Sequence, residues 1–158
     1  MSKPGLGPDS IRADAVTGGC IRTADDTLSV WSCFSDKKHI EEVVLALALG
    51  PKIDHLEAMD VVLLSRSILE TQGLTLEITP GDTLVEDLRG RHVNLVNLDM
   101  NKICFLAVQI AANLRQNDSC YRFTKGEILA LACAAVKAER VSLNRLNDRM
   151  RAEVEQRL

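Results

Sequence analysis

The sequence is short of most features that mark a catalytic site. It has no GxSxG, no GxxxxGK[ST] and no GxGxxG. Its nine glycines are scattered through turns and caps, so no loop stands ready to cradle a phosphate. The three histidines, His39, His55 and His92, are joined by no HxxxH or HExxH spacing. A metal centre would need the fold to gather them with carboxylates or thiolates. No catalytic residue, metal or cofactor is therefore expected. Aromatic residues are equally scarce: one tryptophan, one tyrosine and three phenylalanines. Aliphatic side chains must fill the core, which favours helices over a β-sandwich. Neither sign of charge dominates, and a formal net charge of -3 supplies no broad field to draw in nucleic acid or an anionic membrane. The longest apolar runs, around Val43 and around Leu106, fall short of the roughly 20 residues that a membrane span requires. Residues 1–16, MSKPGLGPDSIRADAV, hold no apolar segment of the secretory kind. Cys20, Cys33, Cys104, Cys120 and Cys133 are odd in number and lack CxxC spacing, so they read as free thiols rather than a disulfide framework. These absences together point to a cytoplasmic protein.

What is present is helical patterning. At 158 residues and 46% hydrophobic content, the chain can bury one sizeable core. The stretch Asp99 to Arg115 is the natural centre. Ile103, Leu106, Ala107, Ile110, Ala111 and Leu114 recur at steps of three and four. Cys104, Phe105 and Val108 add apolar character outside that stripe. A helix apolar around most of its circumference calls for neighbours on several sides.

Along the chain, residues 1–26 are broken by Pro4, Gly5, Gly7, Pro8, Gly18 and Gly19 and read as a flexible N-terminal arm. Thr27 to Phe34 alternates as a short strand. Ser35 or Asp36 can cap a helix whose buried stripe is Ile40, Val43, Val44, Leu47 and Ala48, closed by Gly50 and Pro51. A second helix is expected over residues 53–72, with Leu56, Met59, Leu63, Leu64 and Ile68 inward, packed on the first as a hairpin. Leu74, Leu76 and Ile78 alternate as a half-buried strand. A turn and a short helix, Leu84 to Leu88, follow, then an extended stretch from His92 to Leu98. QNDSCYR reads as a polar loop. Thr124 and Glu127 then form a capping box, with Phe123 and Ile128 placed as a hydrophobic staple, for a helix running to about Glu139. Leu143 to Leu158 forms a last helix. The expected fold is mainly α: a compact single-domain helical bundle with at most two or three short β-strands. Its parts are the arm (1–26), a helical core domain (27–140) and a C-terminal amphipathic helix (141–158).

Three surfaces are candidates for function. Leu143, Leu146, Met150, Val154 and Leu158 form a narrow apolar seam suited to a partner helix, either on the parent domain or on a second copy across a two-fold axis. Arg89, Arg91 and His92 surround Gly90 and could grip a phosphate or carboxylate. Equally, they could offset the dipole of the short helix before them. Arg145, Arg149 and Arg151 on the last helix offer a nucleic-acid contact in the manner of a helix-turn-helix. The acids Asp148, Glu153 and Glu155 interrupt that basic face, and the turn lacks glycine. The stretch Ile78 to Leu88, ITPGDTLVEDL, resembles the lead into the phosphopantetheine-bearing serine of acyl carrier proteins. The attachment position here is His92, so the resemblance implies no carrier activity. The expectation is a non-enzymatic interaction or regulatory protein acting through helix-mediated contacts, as monomer or homodimer. A DNA-binding regulator is the alternative.

Overall fold

The structure, a computed structural model, describes residue 21 and residues 23–158. Most of the expected N-terminal arm, residues 1–20 and 22, lies outside the described residues. Along the rest run β1 (Leu28–Trp31), α1 (Lys37–Ala48), β2 (Met59–Val62), α2 (Arg66–Thr71), β3 (Thr75–Ile78) and a 3-10 segment (Glu86–Arg91). They are followed by β4 (His92–Val96), α3 (Met100–Asn113), β5 (Cys120–Phe123), α4 (Lys125–Lys137), a 3-10 turn (Leu143–Arg145) and α5 (Asp148–Glu155). One antiparallel sheet has the order β1-β4-β3, and a second pairs β2 with β5.

The mainly α bundle is thus corrected to an α+β fold with 45% helix and 17% strand. β1, β3 and β4 fall where alternation indicated extended chain. β2 and β5 do not. The expected helix over 53–72 is instead a loop, β2 and the short α2. Met59 to Leu64 is an almost unbroken apolar run with two valines, a length and composition that suit a strand once a partner exists. That partner is β5, inside what read as a polar loop. Leu63 donates its amide to the Ser119 carbonyl at 2.8 Å, and Arg122 reaches Asp60 at 3.3 Å across the ladder. The pairing joins residues about 60 positions apart, so no local pattern could announce it. The last helix is also shorter than expected: Asn147 caps it by accepting the Met150 amide, and it spans only Asp148–Glu155.

The described chain divides into two compact units. One gathers residues 21 and 23–30 with Val62–Glu77 and Asn94–Tyr121. The other gathers Trp31–Val61, Ile78–Val93 and Arg122–Leu158. In the first unit, Ile21, Leu28, Leu69, Leu74, Leu95, Leu98, Leu106, Ile110, Leu114 and Cys120 make one core, edged by Val62, Leu64 and Ile103. In the second unit, α1 lies against α4 and the 3-10 segment, and α5 lies against α4. Ile40, Val44, Leu49, Val85, Leu88, Ile128, Met150 and Val154 are buried there. Each such aliphatic removed from water contributes about 1.5–3 kcal/mol.

Local chemistry sets the helix ends. Asp36 accepts the His39 amide at the start of α1. At α4 both halves of the expected capping box are made: Thr124 Oγ1 accepts the Glu127 amide, and Glu127 accepts the Thr124 amide at 2.8 Å. α2 and α4 end alike. After α2, Leu74 N–H bonds the Leu69 carbonyl and Gly73 N–H bonds that of Glu70. After α4, Arg140 N–H bonds Ala135 and Glu139 N–H bonds Val136. Both are Schellman closures, which need one residue at positive φ. Gly73 supplies it at φ 73° without steric cost; Glu139 supplies it at φ 58° with a side chain in the way. The ITPGDTLVEDL stretch forms the end of β3, the following loop and the start of the 3-10 segment. Gly81 in that loop lies under the Trp31 ring. A Cβ there would meet ring carbon Cη2 at 2.5 Å and the His92 Cβ at 2.8 Å.

Candidate functional site

The surface with the most to offer is α3, in the first unit. Asp99 caps it by accepting the Lys102 amide at 2.9 Å, and the Lys102 ammonium turns back onto the Asn97 carbonyl at 2.8 Å. At the other end Asn113 Nδ2 donates to the Leu63 carbonyl at 2.6 Å, tying the last turn to the segment after β2. Leu106 and Ile110 are buried, with Leu114 just beyond. They hold one face on the unit's core, and Ile103, Phe105 and Ala107 pack partly against it.

Among the described residues the opposite face has no such cover. Met100 is 71% and Val108 63% exposed, and Cys104 and Ala112 are exposed as well. These four residues stand at steps of four and so line one stripe of the helix. No charged side chain interrupts it. Among the described residues, the expectation that α3 needs neighbours on several sides is met on one side only. A contiguous apolar stripe left in water is the usual mark of a contact surface.

The expected partner seam is largely occupied by the chain itself. Leu146, Met150 and Val154 are buried within the second unit, Leu143 is half-buried, and only Leu158 is exposed. Cys133 on α4 points its thiol at the Val154 carbonyl, 3.8 Å away.

The arginines expected to meet nucleic acid each hold a carboxylate. Arg145 binds Glu86 at 2.8 Å, and Arg149 lies 3.9 Å from Glu153. Arg151 lies 3.6 Å from Asp148 and also donates to the carbonyls of Leu143 and Leu146. The Arg145 guanidinium holds Glu86 below the usual carboxylate range. A phosphate approaching these cations would meet their acids too.

The three residues around Gly90 do not converge on open space either. Arg91 binds Glu42 at 2.7 Å, and Arg89 donates to the Thr83 carbonyl at 3.1 Å. His92 Nδ1 faces the Thr79 hydroxyl at 2.9 Å, with its ring edge-on to Trp31.

The other two histidines work locally. His39 pairs with Asp36 at the α1 cap and meets the Phe34 ring edge-on. His55 lies in the loop between α1 and β2, its Nδ1 on Asp54 and its Nε2 on Glu57 at 2.8 Å. Hydrogen bonds donated by its ring to Glu57 first and Asp54 second raise its pKa above the ordinary 6.5. These carboxylates take opposite sides of the ring. No group of three or more histidines, cysteines or acids able to hold a metal is found among the described residues. Beside this loop is a depression of about 260 Å³ lined by Leu47, Ile53, His55 and Met59 among others. Ligand pockets more often run from about 300 to 1,000 Å³. Among the described residues no helix is long and apolar enough to cross a membrane.

The α3 stripe is half visible in the sequence. Its residues read as apolar and helical, but spacing alone does not say which of them the core leaves uncovered. No protein family, no curated protein and no solved structure matches this chain.

Proposed function

We propose that this protein is a non-enzymatic interaction or regulatory protein that works by helix-mediated contact, with the outer stripe of α3 as its contact surface. The single observation behind this reading is that Met100, Cys104, Val108 and Ala112 stand in water on a helix whose other face is already packed. A folded chain gains nothing from holding such a stripe in solvent, whereas a complex gains from covering it. The reading moves the surface from the Leu143–Leu158 seam, whose middle the chain buries for itself, to α3. Action in the cytoplasm is part of the proposal, supported by the free thiols of Cys33, Cys104 and Cys133.

The test is affinity capture from the native cell, comparing the wild type with Val108→Asp and Met100→Gln. Both positions are mostly exposed, so the fold should be unaffected. Proteins held by the wild type and lost by both variants support the reading. Identical sets from all three contradict it.

A further inference from the structure

The loop between α1 and β2, residues 49–58, carries a hydrogen-bond arrangement that a neutral histidine cannot make. His55 Nδ1 lies 2.5 Å from Asp54 Oδ1, and its Nε2 lies 2.8 Å from Glu57 Oε1. An ionised carboxylate only accepts hydrogen bonds, and a neutral imidazole has one N–H and one bare lone pair. Two carboxylates on opposite sides of one ring therefore need one proton more than a neutral ring and its two acids hold. When that proton leaves, a ring lone pair faces a carboxylate lone pair, and one of the two contacts must part. We infer that this loop is a proton-operated latch: protonated His55 clamps Asp54 and Glu57 and fixes the loop, and loss of the proton frees it.

The loop is placed so that its release has an effect. Its other ties are few. Asn147, the cap of α5, donates Nδ2 to the Ile53 carbonyl at 2.9 Å, the Ile53 amide bonds the Gly50 carbonyl at 3.0 Å, and Leu56 is buried. Ile53, His55 and Leu56 also line the depression that Leu47 and Met59 complete, so its wall is largely the loop itself. Freeing the clamp changes the shape of that depression and the exposure of its apolar side chains.

The surrounding charges favour the clamped form. The two acids raise the pKa of His55 against partial desolvation, and Arg149 of α5 adds to the pull that keeps Asp54 ionised. The remaining charges nearby are Lys52, on the loop itself, and three acids that already hold partners. Glu153 lies 3.9 Å from Arg149, Asp148 lies 3.6 Å from Arg151, and Asp60 of β2 lies 3.3 Å from Arg122. From α1 the depression receives only the uncharged Leu47 and Ala48. The switch therefore works near neutral pH, in the range that histidine senses. The Asp54 and Glu57 side chains are 84% and 76% exposed, so water screens the clamp and its effect on loop opening is a few-fold.

An NMR titration of the full chain from about pH 5.5 to about pH 8.5, a range that brackets the ordinary histidine value, tests this. The His55 ring, the order parameters of amides 54–57 and the exchange rate of the Ile53 amide, corrected for its intrinsic pH dependence, are read in the same samples. As pH rises the order parameters should fall and Ile53 exchange should quicken a few-fold, with the midpoint of the ring and above 6.5. His55→Gln should abolish the response. Glu57→Gln should abolish it too while keeping the loop ordered, because an amide offers a donor or an acceptor to either form of the ring. A ring that titrates at or below 6.5, a loop indifferent to the ring's titration, or a response that survives either substitution overturns the latch. None of these outcomes bears on the α3 surface, which the capture experiment tests separately.

Discussion

Glu139 closes α4 in a conformation that suits glycine, and replacing it should stabilise the protein. In Glu139→Gly the backbone keeps φ near 58° and both closing hydrogen bonds from residues 139 and 140 remain. Relief of the left-handed strain of a side-chain-bearing residue is worth about 1–2 kcal/mol, and the greater unfolded-chain entropy of glycine takes back about 0.5–1 kcal/mol. The Glu139 side chain is exposed, so little else is lost. The expected net gain is about 0.5–1 kcal/mol, read as a rise in Tm of about 1–4 °C for a chain of this size. Glu139→Val carries the argument in the other direction, because a β-branched residue tolerates positive φ least. It should lower Tm by a similar amount or more. Thermal unfolding of the three proteins under one buffer condition decides the matter. A Glu139→Gly protein less stable than the wild type, or Glu139→Val more stable, would refute the account of this turn.

Two further predictions concern the second unit. Gly81→Ala puts a methyl group within 2.5 Å of the Trp31 ring, so the ring must move. The expected loss is about 1–3 kcal/mol in denaturant unfolding, as for overpacked sites, together with a shifted emission spectrum from Trp31, the sole tryptophan. Unchanged stability and emission would show that the loop is not held as described. His55 has its pKa raised by Glu57 and Asp54, so its contribution is fully present below the ordinary value of 6.5 and lost as pH rises through the folded value. Hydrogen bonding from His55 lowers the pKa of Asp54, which makes its contribution present above 3.8 and lost as pH falls through its folded value. The wild type should therefore lose more Tm between pH 6 and pH 8 than His55→Gln does. Parallel pH profiles for the two proteins would contradict the pairing.

How much of the fold could be read from the residues depends on range. Where the signal is local it is legible. Thr124 with Glu127 makes its capping box, Asp36 and Asp99 cap their helices, and Leu74 to Ile78 and His92 to Leu98 give β3 and β4. The failures come where distant pairing decides the outcome. Cys120–Phe123 is four residues, buried at its two ends only, and looks like loop until Met59–Val62 is placed beside it. Without β5, residues 53–72 fit a helical wheel well enough to be read as one helix. That error, with the missed β5, turns an α+β chain into a bundle. The candidate site fails in a related way. The spacing shows that α3 and the Leu143–Leu158 segment are apolar. Only the packing can show that Met150 and Val154 are covered while Val108 is not. Arg145 misleads because its acid partner, Glu86, is 59 residues away in sequence, whereas the acids beside Arg149 and Arg151 are the local Glu153 and Asp148 that the spacing already shows.

The central claim, that the outer face of α3 is a contact surface, is tested most directly at Cys104, whose thiol is exposed in the middle of that stripe. The rate of Cys104 alkylation by a maleimide, mapped to its own peptide by mass spectrometry, is compared between dilute purified protein and protein inside its native cells. The account predicts rapid labelling in dilution and labelling slowed several-fold in cells, with Val108→Asp restoring the fast rate. Equal, rapid labelling of Cys104 in both settings would mean that nothing covers the stripe, and would contradict it.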